Sequence, residues 1–184
     1  MKKAVVTVTN DLVTDQRVMR TNEVLLSMGI EPIFVGRELP GSLPFEKSYP
    51  HKRFRLFFKK GFLFYASYNL RLFWYLLFHH FDLYISNDLD TLLPNYLVSK
   101  LKNKPLIYDS HEYFTGVPEI QHRPVVKKVW TSLERWIFPK LEDVITVNKS
   151  IAGLYEEEYH KTIHVVRNIS DSRLPENVKS RAEL

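Results

Sequence analysis

His111 is the residue whose surroundings most favour chemistry. It follows the apolar run Pro105-Leu106-Ile107-Tyr108-Asp109 and stands between Asp109 and Glu112. An imidazole in such company can orient a substrate hydroxyl or take its proton near neutral pH. The competing reading is a structural histidine bonded to a neighbouring loop. His111 and Glu112 alone do not make a metal site, because no third ligand follows at a fixed spacing. Asp88 and Asp90, in Asn87-Asp88-Leu89-Asp90-Thr91, are candidates for hydroxyl or cation contacts, and Asp90 before Thr91 has the pattern of a helix cap. Arg17 and Arg20, one helical turn apart, offer a clamp for a phosphate. Against that stands a plainer reading, with Asp15 as an N-cap and both arginines in solvent. No two carboxylates are fixed at opposed positions, so paired-carboxylate hydrolysis is not expected.

The elements that must position these residues are legible as alternating apolar strands and helices. Strands are predicted at residues 4–9, 33–36, 52–58, 83–86, 105–109, 144–147 and 163–166. Helices are predicted from about Asp15 or Gln16 to Met28, then over 62–80, 91–101, 125–141 and 150–159. In the first of these Val18, Val24, Leu25 and Met28 form an apolar face and Gly29 closes the helix. Arg37 to Pro50 contains Gly41 and three prolines and is a loop. His79-His80 ends a helix, where donors favour the last carbonyls. Short strands alternating with helices imply an α/β domain, Rossmann-like, with three αβα layers and a mostly parallel sheet. The domain should span residues 1–170. Residues 171–184 read as a linker and the start of a helix that stops unfinished, as in a truncated chain; a frayed natural end is the alternative.

In an open parallel sheet, ligands bind beyond the carboxyl ends of the strands. That rule selects Asn10, Asp11, Asp15 and Arg17 after the first strand, and Asn87 and Asp88 after the fourth. It adds His111 and Glu112 after the fifth, Asn148 after the sixth and Asn168 after the last. The first loop lacks the Gly-x-Gly-x-x-Gly of dinucleotide binders, which disfavours a dehydrogenase, and no P-loop pattern occurs.

The chain has 184 residues, no cysteine and a formal charge of +5. Absence of cysteine excludes disulfides and suits a reducing cytoplasm. No secretory leader is visible at the start. Much of the positive excess lies in Lys47 to Phe81, which contains no Asp or Glu and interleaves its cations with phenylalanine, tyrosine and tryptophan. The balance elsewhere makes a nucleic-acid partner unexpected.

Several ordered motifs resemble the retaining, family-4-type glycosyltransferases. They are Asn10-Asp11-Leu12 with Asp15-x-Arg17-Val18-x-Arg20, then Leu25-x-x-x-Gly29, Tyr108-Asp109-Ser110-His111-Glu112, Val144-Ile145-Thr146-Val147-Asn148-Lys149-Ser150 and Val166-Arg167-Asn168-Ile169. The resemblance implies one half of a GT-B fold, the N-terminal domain that mainly binds the acceptor. A second domain, absent here, would hold most of a nucleotide-sugar donor. It further implies a hexosyltransferase in polysaccharide biosynthesis that needs no metal or other cofactor. Retention would follow from front-face attack by an acceptor hydroxyl helped by the leaving phosphate. His111 would contact the donor sugar or the reacting centre. Asn10, Asp11 and Arg17 would line the cleft near diphosphate and acceptor. The sequence departs from the family in lacking a glycine-rich first loop and the usual proline and glycine around Asn168. A stand-alone binding or membrane-docking module, or a nucleotide-sugar epimerase, are the alternative functions.

Related enzymes act on glycan or lipid-linked acceptors, so the basic aromatic segment suggests peripheral contact with the inner face of the membrane. Residues 62–81 approach the ~20 apolar residues of a bilayer span, but Asn69 and Arg71 near the middle argue against one. The competing reading is a core helix whose cations lie on the loop before it.

Overall fold

The computed structural model describes residues 1–13, 16–46 and 49–167, with backbone alone for 16–19. The predicted domain boundary near residue 170 and the segment 171–184 lie outside them. Seven strands form one sheet: β1 (Lys2–Asp11), β2 (Ile30–Glu38), β3 (His51–Arg55), β4 (Leu83–Asn87), β5 (Leu106–Ser110), β6 (Asp143–Thr146) and β7 (His164–Val165). Their order is β3-β2-β1-β4-β5-β6-β7, and every pair is parallel. The expectation of a mostly parallel sheet thus becomes a parallel sheet throughout. The chain winds outward from β1 to β3, then crosses back to β4 and winds the other way. The seam between β1 and β4 is therefore the topological switch point, where such sheets bind ligands.

Helices α1 (Gln16–Ser27), α2 (Gly61–Phe78), α3 (Leu89–Lys102), α4 (Pro118–Gln121), α5 (Pro124–Ile137) and α6 (Lys149–Tyr159) cover the sheet. The strands alternate their side chains between the two faces. On one face Ala4, Val6, Val8, Phe34 and Ile85 pack with Leu25 of α1. On the other, Val5, Val35 and Tyr84 meet α2, and Tyr108 and Val144 meet α3, α5 and α6. This makes the three αβα layers. The expected apolar face of α1 reduces to Leu25 among its described side chains, because Val24 and Met28 are exposed. Gly29, at φ +72°, ends that helix as predicted.

Helix α2 is a core helix on one side. Phe64, Tyr68, Leu72 and Leu76, four residues apart, are buried against the sheet. Each such side chain removed from water contributes about 1.5–3 kcal/mol. Asn69 at its middle has a specific task. Pro94 lies inside α3 and has no N–H, so the carbonyl four residues earlier, that of Asp90, loses its helical partner. The Asn69 amide donates to that oxygen at 2.9 Å. His79 caps the far end of α2, its Nδ1 2.8 Å from the Tyr75 carbonyl.

Candidate functional site

The carboxyl end of β4 turns through Asp88, whose backbone stands at φ 60°, ψ 168°. That region is nearly exclusive to glycine and costs on the order of 1–3 kcal/mol for other residues. The surroundings hold it there. Asp88 N donates to the Asp109 carbonyl at 2.9 Å, fixing it to the end of β5. Its carboxylate accepts from His111 N at 2.8 Å and lies 3.2 Å from His111 Nδ1. Asp88 therefore grips both the backbone and the ring of His111, and its side chain is not spent on capping α3.

The His111 ring lies between two carboxylates. On its other side Nε2 is 3.3 Å from Asp109 Oδ2. That approach is poorly aligned, and Nε2 is buried without a hydrogen bond among the described residues. A buried polar atom in this condition is unusual, and here it belongs to the histidine that the sequence singles out. The side chain is 19% exposed, so part of the ring reaches solvent while its direction is fixed.

Asp90 corrects a sequence expectation. It does not cap a helix, because α3 begins at Leu89 and Asp90 lies in its first turn. Its carboxylate instead crosses the switch-point seam and accepts a short hydrogen bond from Thr9 Oγ1 of β1. Burial is the chief reason its pKa is raised to about 6; Thr9 and Arg37 pull it back, and Glu112 pushes it up. Glu112 is itself exposed. An acid and a hydroxyl thus meet at the seam, under the charges of Arg37 and Glu112.

The other selected residues are distributed unevenly. Asp11 ties the end of β1 to the following loops: its carboxylate accepts from Val13 N at 3.2 Å, pairs with Arg53 at 3.7 Å and takes a short hydrogen bond from Ser42. Asn10 is exposed at the same strand end. Gly36 permits this arrangement, since a Cβ there would come within 2.9 Å of the Asn10 carbonyl and 2.7 Å of Leu12 Cγ. Asn87 is buried and donates to the Thr7 carbonyl at 3.1 Å, stitching β4 to β1. Asn148 caps α6, its Oδ1 accepting from Ile151 N at 2.9 Å. The β1 and β4 ends and the His111 turn meet at the seam, with Asn148 farther along the edge. Asp15 and Asn168 lie outside the described residues, as does the side chain of Arg17. Among the described residues no group of three or more His, Cys, Asp or Glu could hold a metal ion.

Glu134 on α5 was not anticipated. It is fully buried and accepts from Thr115, Tyr155 and Tyr159 at 3.1–3.4 Å. Burial, above all, raises its pKa to about 7. The sequence holds one signal for it. Glu134 lies four residues after Trp130 and three before Ile137, on the helix face that carries the core.

A parallel sheet of this order, with a polar switch-point seam after β1, β4 and β5, is a Rossmann-like α/β fold. A family model described as Glycosyltransferase Family 4 matches residues 16–173, and the chain belongs to that family. The fold agrees with two structures of the sucrose-phosphate synthase of Thermosynechococcus elongatus, each with a TM-score of 0.66. One is 10% identical, with 92% of this chain covered and 91% of that one. The other is 11% identical, with 91% of this chain and 48% of that one. MurG of Acinetobacter baumannii is 10% identical with a TM-score of 0.53, covering 95% of this chain and 48% of that one. The chain thus spans about half of the longer neighbours. No curated protein matches it.

Proposed function

We propose that this chain is the acceptor-binding, N-terminal domain of a glycosyltransferase that moves a hexosyl group from a nucleotide-sugar to a glycan or lipid-linked acceptor. The observation that carries the reading is His111, fixed between Asp88 and Asp109 at the switch-point edge of a family 4 domain. In this reading the ring contacts the donor sugar or the acceptor hydroxyl at the reacting centre, and Asn10, Asp11 and Glu112 line the acceptor side. A second domain supplies most of the donor site. The bond from the anomeric carbon to the diphosphate breaks, the acceptor oxygen bonds to that carbon on the same face, and the hydroxyl proton passes to the departing phosphate oxygen. No metal or organic cofactor takes part.

The test is a transfer assay on the longer protein, with a panel of nucleotide-sugars and glycan and lipid-linked acceptors. Release of nucleoside diphosphate matched by a glycosylated acceptor is expected. A binding event without turnover would replace this reading with a docking module, and an epimerised nucleotide-sugar would replace it with an epimerase.

The lipid-linked acceptor is supported by one surface. Among the described residues no helix is long and apolar enough to cross a membrane. Helix α2 buries one stripe, while Phe57 and Phe62 before and at its start are 90% and 75% exposed beside Lys59 and Lys60. The rings of Tyr65 and Trp130, centroids 5.2 Å apart, bring the start of α5 alongside, with Val125 and Lys128 exposed there. Both helices begin at the carboxyl edge of the sheet, so the patch borders the seam. Apolar side chains among cations suit the interface of an anionic, cytoplasm-facing bilayer. The chain should co-sediment with vesicles containing anionic lipid and far less with neutral ones, and F57S/F62S should remove the difference. Equal recovery with both vesicle types would dismiss the membrane contact.

A further inference from the structure

We propose that Glu134 is a positioning residue for His111, acting through Tyr155 and Ser110 on the turn that carries the imidazole. The link is a continuous line of buried polar atoms. The Tyr155 hydroxyl is 3.3 Å from Glu134 Oε1, 2.9 Å from Ser110 Oγ and 3.3 Å from the Glu112 carbonyl. Ser110 Oγ is 2.8 Å from the same Glu112 carbonyl, and Thr146 Oγ1 donates to the Ser110 carbonyl at 2.7 Å. His111 sits between the two residues that this line holds.

A tyrosine hydroxyl has one proton, so the line has two directions. An ionised Glu134 only accepts. Thr115, Tyr155 and Tyr159 then give it their protons, and the Glu112 carbonyl loses Tyr155 as a donor while keeping Ser110. A protonated Glu134 donates to Tyr155. The Tyr155 proton then turns to the Glu112 carbonyl, joining that of Ser110. The His111 turn is held by one extra hydrogen bond, from Tyr155, in the second state and released from it in the first.

The groups facing the carboxyl set when this happens. Thr115 and Tyr113 face it from the loop after β5, Tyr155, Glu158 and Tyr159 from α6, and Tyr108 from β5. Among them Glu158 adds repulsion, tempered by Arg135 at 3.5 Å and by the Tyr113 hydroxyl at 2.6 Å. With burial as the largest influence the proton is held up to about pH 7, so both directions are populated under neutral conditions. The positioning role serves the transferase reading, whereas the hydrogen-bond line stands without it.

The test is ¹⁵N NMR of the chain in a His111→Ala background, which removes the imidazole's own titration. The Tyr113 amide nitrogen shares a peptide group with the Glu112 carbonyl and reports the hydrogen bonds which that oxygen accepts. Its shift should move in one step across about pH 5.5–8.5. Glu134→Gln should abolish the step, and so should Tyr155→Phe, which keeps the carboxyl and removes only the link. A step that survives in either folded variant, or no step in the parent, would overturn the proposal. In the longer protein with His111 restored, Glu134→Gln should remove one ionisation from the kcat–pH profile and change the donor KM by less than about twofold. A kcat profile identical to wild type would also overturn the positioning role. If neither enzyme transfers sugar, the transferase reading fails, and the NMR step decides the role of Glu134 alone.

Discussion

Replacing His111 with alanine in the longer protein of the proposed reading should lower kcat by ~10²–10³-fold, the usual range for losing one group that stabilises charge at the reacting centre, with the fold preserved. The ring is not part of the hydrophobic core. Its contacts are the two carboxylates of Asp88 and Asp109, and the backbone bond from His111 N to Asp88 survives the substitution. Asp88→Asn provides the graded comparison. Asparagine tolerates positive φ better than most residues and retains an oxygen for His111 N, so the turn should persist while the ring loses one charged neighbour. Its loss in kcat should be smaller than that of His111→Ala. Steady-state kinetics on the two variants check this. Wild-type kcat in His111→Ala would remove the histidine from the mechanism.

The second large effect is on stability as a function of pH. Asp90 and Glu134 are pushed up to about 6 and about 7, from ordinary values of 3.8 and 4.5. The folded state therefore holds two protons that the unfolded chain has already released. The contribution of these two acids is fully present below about pH 4 and is lost as pH rises through 6 and 7, because the unfolded state binds fewer protons over that window. At about 1.4 kcal/mol per pH unit, each ionisation costs the folded state on the order of 3 kcal/mol. The half-buried carboxylates of Glu38 and Asp82 are shifted the other way by Arg55 and by Lys3 N. Their contribution is lost only in acid and does not offset the decline near neutrality. The D90N/E134Q variant should flatten the curve and be the more stable protein at pH 8. Urea midpoints at about pH 5.5 and 8 decide it; parallel curves for variant and wild type would show that neither buried acid sets the slope.

Much of the fold is legible in the sequence because burial on both faces of a parallel sheet leaves unbroken apolar runs. Ala4 to Val8 and Leu83 to Ile85 announce their strands without any knowledge of their partners. Strand order is not written in those runs. The rule for carboxyl ends nevertheless finds the seam, since it depends only on which residues follow each strand. Individual side chains are harder to read. Asp90 resembles a cap because Asp-Thr is a capping pattern, yet the helix starts two residues earlier than that cap implies, at Leu89, and what its carboxyl reaches is Thr9, eighty-one positions away. Asn69 reads as a flaw in an apolar helix until Pro94 of the next helix is placed beside it. Asn148, chosen for its strand end, is found capping α6 through its side-chain oxygen. Glu134 is the hardest, as a single acid on an amphipathic helix normally faces water.

The strand order also governs how the molecule is assembled in time. Strands β1, β2 and β3 neighbour one another in sequence and can pair as soon as the first third of the chain is available. The seam is different. Val5 opposes Tyr84, and Asn95 reaches Thr7 across eighty-eight positions. Closing a loop of that length costs chain entropy that local pairings do not pay, and non-local contacts of this kind slow folding. The crevice that gathers Thr9, Asp90 and His111 is thus the last join between two separately wound halves, and refolding should deliver native strands before it delivers a competent site.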